Sequence, residues 1–168
     1  MSKRKSILTG MIVGLIWSAG LLWCAASFVS LPVFTLMPTI MTAFLPPGIV
    51  MLLMAGRLAQ RRFFDDELID GERFALDSAA AIDQRVLSNT VEQLVLALCI
   101  WPASAVILAG DGPGVIVVLG INFAIMRLLF WGGYHASPPL RAFGFAASFY
   151  PTVLVALWTL WALINYGQ

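Results

Sequence analysis

Two ionisable residues interrupt apolar segments of the sequence. Glu92 lies in the segment 86–109, and Arg127 lies in the segment 114–134. A charged side chain at the centre of a membrane helix costs about 2.5–3.5 kcal/mol on insertion scales, so such residues normally face the interior of a helix bundle and mark a site. If the two segments are antiparallel membrane helices, both residues lie roughly 10 Å from the same end of the bundle. We therefore expect Glu92 and Arg127 to form an ion pair.

Further polar side chains gather around this pair. Arg85, Asn89 and Glu92 are spaced i, i+4 and i+7, so a helix places them on one stripe. Tyr134 lies seven residues after Arg127, and Arg141 follows soon after it. An ion pair that only holds two helices together would need no such surplus. Excess basic groups favour an anionic ligand, because arginine binds carboxylates through a bidentate fork.

The composition indicates that the elements carrying these residues lie in a membrane. Hydrophobic residues make up 60% of the 168 residues and charged residues 11%, whereas soluble domains carry about 25% charged residues. A membrane-spanning helix takes about 20 apolar residues. Five stretches are long enough, namely 7–29, 33–56, 86–109, 114–134 and 142–164. We predict an all-α integral membrane helix bundle that forms a single domain in the lipid bilayer.

The second of these stretches, 33–56, contains Pro38, Pro46 and Pro47. Proline removes a backbone donor and kinks a helix, which membrane proteins tolerate where neighbouring groups satisfy the freed carbonyl oxygens. We interpret this stretch as a kinked span. The alternative is an interfacial or re-entrant segment as far as Leu45, followed by a short helix from Pro47.

Basic residues predict the orientation of the bundle. With five spans, one side of the membrane receives every basic residue outside the apolar segments: Lys3, Arg4, Lys5, Arg57, Arg61, Arg62, Arg73, Arg85 and Arg141. Such residues remain on the cytoplasmic side. We therefore expect a cytoplasmic amino terminus, a cytoplasmic loop over residues 57–85 and a carboxyl terminus, residues 166–168, outside. The compact chain favours the bacterial inner membrane.

Two classes of ligand are not indicated by the sequence. A formal net charge of +1 gives no electrostatic basis for binding nucleic acid. The single histidine, His135, and the two separated cysteines, Cys24 and Cys99, do not have the spacing of a metal site. We expect no nucleic-acid partner and no metal.

Two motifs resemble those of the MAPEG family, the membrane-associated proteins in eicosanoid and glutathione metabolism. Residues 85–92 have the form R-x3-N-x2-E, which resembles the start of the second helix of the family. Residues 127–134, followed by Arg141, look like the family pattern R-x-x-[YH]-x3-Y with a following arginine. Phe130 departs from this pattern, because the family commonly has tyrosine or histidine there. The resemblance covers roughly residues 56–164.

The resemblance implies a homotrimer of four-helix subunits that binds glutathione between subunits near the cytoplasmic side. Residues 33–168 would form this MAPEG-like core, and residues 1–32 would be an additional transmembrane helix. Carried over by position, the glutathione contacts would be Arg85, Asn89, Glu92, Arg127, Tyr134 and Arg141, with Arg127 partly structural. The family's first helix ends with arginines that reach the site, and the candidates here are Arg57, Arg61 and Arg62.

The resemblance also implies a chemistry. Arg141 would be the catalytic residue that activates the thiol, assisted by Tyr134, because a cation near a thiol lowers the thiol pKa from about 8.5. The expected function is a glutathione-dependent membrane transferase or peroxidase, with glutathione as co-substrate and a lipophilic electrophile as the second substrate. The alternatives are a non-catalytic lipid-binding or scaffold protein of the same fold, which Phe130 and the additional helix favour, and a structural subunit of a larger complex.

Overall fold

In the computed structural model, which describes residues 3–66 and 68–165, all regular structure is helical. One turn of 3-10 helix, Val33–Thr35, precedes the second helix. The α-helices are α1 (Lys3–Phe28), α2 (Leu36–Ala43), α3 (Leu45–Phe63), α4 (Ala79–Ile107), α5 (Gly112–Ala136) and α6 (Pro138–Asn165). Within the described residues, 5 spans are long and apolar enough to cross a membrane, with α2 and α3 forming one of them. The predicted all-α membrane bundle is confirmed, while the expected position of the carboxyl terminus, residues 166–168, lies outside the described residues.

The second span is divided into α2 and α3, and it runs along most of α5. Ala43, at the end of α2, contacts Gly120 in the first half of α5. Arg57 of α3 lies 5.6 Å from the ring centroid of Trp131, near the other end of α5. Gly120 and Trp131 are separated by about 17 Å along a helix axis. This path agrees with the kinked span and not with a re-entrant segment.

Prolines account for the division between α2 and α3. Pro38 lies in the first turn of α2, and Pro46 and Pro47 lie in the first turn of α3. A helix tolerates proline in its first turn, because the missing N–H would have no helical partner there. The chain can therefore break and restart at Phe44 without losing many hydrogen bonds.

The helices extend further than expected at the end of the bundle that carries most of the basic residues. This end, called the basic end below, comprises the starts of α1, α4 and α6 and the ends of α3 and α5. The loop between α3 and α4 is residues 64–78 and not 57–85. Ser78 caps α4, because its hydroxyl accepts a backbone N–H of the first turn at 3.0 Å. Hydropathy identifies the membrane-crossing part of a helix and overlooks its polar terminal turns.

A buried asparagine replaces a helical hydrogen bond that a proline removes from α6. Pro151 has no N–H, so the carbonyl oxygen of Ala147 lacks its helical donor. Asn122 of α5 donates from Nδ2 to that oxygen at 2.8 Å, and its Oδ1 accepts the indole N–H of Trp17 at 2.9 Å. In a bilayer such groups must be satisfied within the protein. One amide side chain therefore joins α1, α5 and α6.

Small residues bring α1 close to α6. Gly10 and Gly14 have the GxxxG spacing that allows helices to approach closely in membranes. A Cβ added to Gly10 would lie 3.1 Å from the Ala142 Cβ, and one added to Gly14 would collide with the Ala146 Cβ. Because residue numbers increase in the same direction along both helices at these contacts, α1 and α6 are parallel. The start of α1 therefore lies beside the start of α6 at the basic end.

Replacing Gly14 by leucine should displace α1 from α6. Overpacking a close contact costs about 1–3 kcal/mol, so Gly14→Leu should lower the thermal unfolding temperature of the protein in detergent. Gly20 provides a control on the same helix, because a Cβ added there meets no atom within 4 Å. Equal unfolding temperatures for Gly14→Leu and Gly20→Leu would contradict the packing described for α1.

Candidate functional site

The buried face of α4 is offset by one residue from the polar stripe predicted from the spacing of Arg85, Asn89 and Glu92. Thr90 and Gln93 are buried in the bundle, whereas Arg85 and Glu92 are exposed and Asn89 is half-buried. Successive residues of a helix point about 100° apart. The expected polar stripe is therefore the flank of α4, and only its middle residue reaches the neighbouring helices.

Arg127 of α5 is fully buried and is bound by neutral acceptors. Its Nε donates to Thr90 Oγ1 at 3.0 Å, and its terminal nitrogens donate to Asn89 Oδ1 at 3.0 Å and to Ser148 Oγ at 3.4 Å. The guanidinium carbon also lies 4.0 Å from the ring centroid of Phe130. In the described parts of the chain, no carboxylate lies within ion-pair distance of Arg127. Three helices, α4, α5 and α6, therefore share one buried cation.

The expected ion pair between Glu92 and Arg127 is wrong. Glu92 is exposed on the flank of α4, and its Oε2 accepts a hydrogen bond from Asn89 Nδ2 at 3.4 Å. Asn89 therefore lies between the two charges, with its Oδ1 bound to the guanidinium and its Nδ2 directed at the carboxylate. The expected depth of the two residues fits this arrangement, but Glu92 does not lie on the buried face of α4 that Arg127 contacts.

The Arg127 network, which comprises Arg127, Asn89, Thr90, Ser148 and Gln93, has more donors than acceptors. The Ser148 hydroxyl donates to Gln93 Oε1 at 2.9 Å. Gln93 Nε2 is buried and has no hydrogen-bond partner among the described residues. Buried polar groups are usually satisfied, so this excess of donors and positive charge is suited to an anionic or hydrogen-bond-accepting ligand close by.

A cavity of about 380 Å³ opens beside this network at the basic end. Its lining residues are Ile7, Met11, Asn89, Phe130, Tyr134, Arg141, Ala142 and Phe145. The guanidinium carbon of Arg141 lies 4.8 Å from the Tyr134 ring centroid. Within the described chain, the guanidinium makes no ion pair. This Arg141 cavity has the size of small-molecule sites, which range over about 300–1,000 Å³.

Close packing of α5 against α6 positions the residues of the cavity. A Cβ added to Gly144 of α6 would lie 2.6 Å from the backbone nitrogen of Phe130. A Cβ added to Gly133 of α5 would meet the backbone of Arg141. Only glycine permits both approaches, and as a result Phe130 and Arg141 line the same cavity from different helices.

Of the residues expected to contact glutathione, the structure brings Asn89, Tyr134 and Arg141 together in the Arg141 cavity. Arg127 is buried behind the cavity and binds Asn89, which lines it. Phe130, the departure from the family pattern, separates the cavity from the buried guanidinium and contacts both. The aromatic ring therefore provides a cation–π contact to Arg127 in place of the polar group that tyrosine or histidine would carry there.

Arg85 and Glu92 lie outside the cavity within a single chain. Arg85 donates to the carbonyl oxygen of Leu76 in the loop 64–78 at 2.9 Å. Both side chains are exposed on α4. A direct role for either residue at the Arg141 cavity would require a second chain or a ligand that extends beyond the cavity.

A second polar cluster at the basic end was not predicted. Asp83 of α4 is 2% exposed, and its Oδ2 lies 3.1 Å from Arg57 Nε and 3.1 Å from a terminal nitrogen of Arg61. Its Oδ1 accepts the Trp131 indole N–H at 2.7 Å and lies 3.1 Å from His135 Nε2. This Asp83 cluster joins α3, α4 and α5. The Asp83 carboxylate therefore neutralises part of the positive charge of Arg57 and Arg61.

The spacing of these residues contains a signal for the Asp83 cluster. Arg57 and Arg61 are spaced i, i+4, as are Trp131 and His135, and each pair lies on one helix face. Asp83 precedes the buried Thr90 by seven residues and so continues the buried stripe of α4. The charged composition of residues 57–85 predicts a loop instead, and a loop has no helix faces on which such spacing would count.

The arginines near the end of α3 do not line the Arg141 cavity. Arg57 and Arg61 bind Asp83, while Arg62 lies 4.5 Å from the Phe74 ring centroid and donates to the Glu72 carbonyl oxygen at 3.3 Å. Among the described residues, no group of three His, Cys, Asp or Glu side chains could hold a metal ion.

The fold and the site together define a class of protein. It is a membrane-spanning helix bundle with a buried cation and, at one end, a cavity of about 380 Å³. The MAPEG family model matches residues 20–161 of the chain. Because this match covers most of the 168 residues, the chain belongs to the MAPEG family, the membrane-associated proteins in eicosanoid and glutathione metabolism. No curated protein and no solved structure matches the chain.

Removing the charge of Asp83 should destabilise the basic end. Asp83→Asn keeps the size of the side chain but leaves two arginines without their carboxylate, and loss of one partner from a buried network of this kind costs about 2–3 kcal/mol. Thermal unfolding in detergent should show a clear decrease in stability. Asp77→Asn is the matched control, because Asp77 is exposed in the loop. Indistinguishable unfolding of the two variants would mean that the Asp83 cluster does not stabilise the bundle.

Proposed function

We propose that this protein is a glutathione-dependent membrane enzyme that conjugates glutathione to lipophilic electrophiles or uses it to reduce lipid hydroperoxides. The observation that carries the proposal is the Arg141 cavity. Asn89, Tyr134 and Arg141 converge there from three helices, beside a buried arginine that has no carboxylate partner in the described chain. Membership of the MAPEG family supports glutathione among the possible anionic ligands.

The charges around the cavity suit glutathione. The tripeptide carries two carboxylates and one ammonium group at neutral pH, so it is an anion overall. Among the described residues, no carboxylate occupies the guanidinium donors of Arg141, and Arg127 adds positive potential from behind Asn89. Electrostatic attraction is stronger in a poorly hydrated site than in water. The ligand would thus supply the negative charge that the Arg127 network lacks.

Arg141 is suited to activate the thiol. A cation beside a thiol stabilises the thiolate, which is the nucleophilic form. Tyr134 packs against the guanidinium, and its hydroxyl group would donate a hydrogen bond to the sulfur. The released thiol proton would leave through the mouth of the cavity at the basic end. Arg141 and Tyr134 are therefore the proposed catalytic residues.

Two reactions would follow from one thiolate. In conjugation, the sulfur attacks an electrophilic carbon, a carbon–sulfur bond forms, and the leaving group departs with the electrons of its bond. In hydroperoxide reduction, the sulfur takes the terminal oxygen, and the alkoxide accepts a proton to give the alcohol. A second glutathione then converts the sulfenic acid to the disulfide and water.

A homotrimer would complete the site. Glu92 is an exposed carboxylate within a membrane span, which is unfavourable when it faces lipid. A neighbouring subunit packed against α4 would remove Glu92 from lipid and bring Arg85 and Glu92 to the ligand of an adjacent cavity. We place the basic end in the cytoplasm, because basic residues concentrate there and glutathione would enter from that side.

A non-catalytic lipid-binding function is the second candidate. Its supporting observation is the apolar part of the cavity lining, which includes Phe130 in place of a hydrogen-bonding side chain. A protein of this kind would bind a lipid in the Arg141 cavity and would not turn over glutathione.

Glutathione binding and conjugation should both depend on Arg141. Calorimetry on detergent-purified protein should show saturable glutathione binding. Arg141→Ala should weaken it about tenfold or more, because a hydrogen bond to a charged group contributes about 1.5–3 kcal/mol. Conjugation of a lipophilic electrophile should decrease further, by about 10²-fold in kcat/KM. Arg73→Ala is the control, because Arg73 is exposed at the same end and does not line the cavity.

Two outcomes would count against the proposal in different ways. Conjugation at the wild-type rate by Arg141→Ala would refute the role of Arg141 in thiol activation. Folded protein that binds lipid but not glutathione would exclude the enzyme and would favour the lipid-binding function.

A further inference from the structure

One side of α1 reaches the Arg141 cavity. Ile7 and Met11 each precede by three residues a glycine that packs against α6, Gly10 and Gly14. Residues three apart are separated by about 60° around the helix axis. The side chains of Ile7 and Met11 therefore lie next to the α1–α6 contact. Both line the cavity. Ile12 is 50% exposed, against 37% for Met11, and it does not line the cavity.

The wall that α1 provides is held in place. Gly10 and Gly14 fit against α6, and the Trp17 indole N–H is bound by Asn122 of α5 at 2.9 Å. These contacts attach α1 to two other helices over residues 10–17. Ile7 and Met11 therefore form part of a fixed surface.

The cavity lining combines two kinds of surface. Asn89, Tyr134 and Arg141 offer hydrogen bonds and charge, and the remaining lining residues are apolar. Glutathione is polar over most of its surface and would gain little from apolar contacts. The apolar surface therefore suits another part of the bound molecules, namely the apolar group attached to the electrophilic centre.

We infer that Ile7 and Met11 are specificity-determining residues that bind the apolar chain of the lipophilic substrate. The inference rests on the proposed function, since it assigns the second substrate of the same cavity. The acceptable substrates are molecules whose electrophilic carbon or hydroperoxide carries an alkyl chain able to lie against α1. Each methylene buried in this way would raise affinity up to about fourfold.

S-alkyl glutathiones with methyl, butyl and hexyl groups test this assignment without turnover. They place an alkyl chain of known length on the sulfur, as a conjugation product would. Calorimetry on detergent-purified protein should give affinities that increase with chain length. Ile7→Ala and Met11→Ala should weaken S-hexylglutathione binding about fivefold or more and leave glutathione affinity within about twofold. Ile12→Ala, the same substitution on the other side of α1, should match the wild type with every ligand.

A small-to-large variant provides an independent test at the same position. Met11→Trp adds volume to the wall, so it should weaken S-hexylglutathione binding while S-methylglutathione still binds. All variants should unfold at temperatures close to that of the wild type, because Met11 is exposed and Ile7 is only half-buried.

The outcomes separate this inference from the proposed function. If glutathione binds and all α1 variants retain wild-type affinity for S-hexylglutathione, the inference is overturned and the proposed function stands. If Ile7→Ala weakens glutathione and S-hexylglutathione equally, α1 has a structural role and the inference is also overturned. If the folded wild type binds neither glutathione nor any S-alkyl derivative, the proposed function fails, and the inference fails with it.

Discussion

Burial of the Arg127 guanidinium is the constraint on which the arrangement of α4, α5 and α6 depends. A cation between apolar helices must receive its hydrogen-bond acceptors from the protein. α4 supplies Asn89 and Thr90, α6 supplies Ser148, and α5 itself supplies the ring of Phe130. A shift of one residue in any of these helices would remove an acceptor. The network therefore sets the register of three helices and holds Asn89 at the wall of the Arg141 cavity.

Polar contacts recur along α5 at three levels, which makes it the central helix of the bundle. Asn122 binds α1 and α6 in the half of the bundle away from the basic end, and Arg127 binds α4 and α6 nearer to it. Trp131 and His135 then bind Asp83 of α4 at the basic end itself. Between these levels the helices meet through apolar side chains and glycine. A cavity built on elements held at several points would need little further ordering to bind a ligand.

The membrane fold was predictable from the sequence, because the length of an apolar stretch and the position of a proline determine local helix structure without reference to packing. Asn89, Tyr134 and Arg141 could be named as neighbours for the same reason, since helical spacing and depth require no knowledge of packing. The direction of each side chain around α4 was not predictable. It depends on which face the other helices cover, and Glu92 and Thr90 differ by only two residues. Asp83 was missed because a charged segment between two apolar ones has the composition of a loop, whether or not it is helical. In the sequence, only the spacing of Gly10 and Gly14 indicates that α1 packs closely enough to contribute to the cavity.

The most direct test of this account is a structure of the protein in lipid nanodiscs with glutathione, determined by cryo-electron microscopy. We expect glutathione in the Arg141 cavity, with a ligand carboxylate or amide within hydrogen-bond distance of Asn89 and the sulfur beside Arg141. We also expect Arg127 to remain buried and bound by Asn89, Thr90 and Ser148. Glutathione bound elsewhere on the protein, or a lipid chain filling the cavity at saturating glutathione, would contradict this expectation.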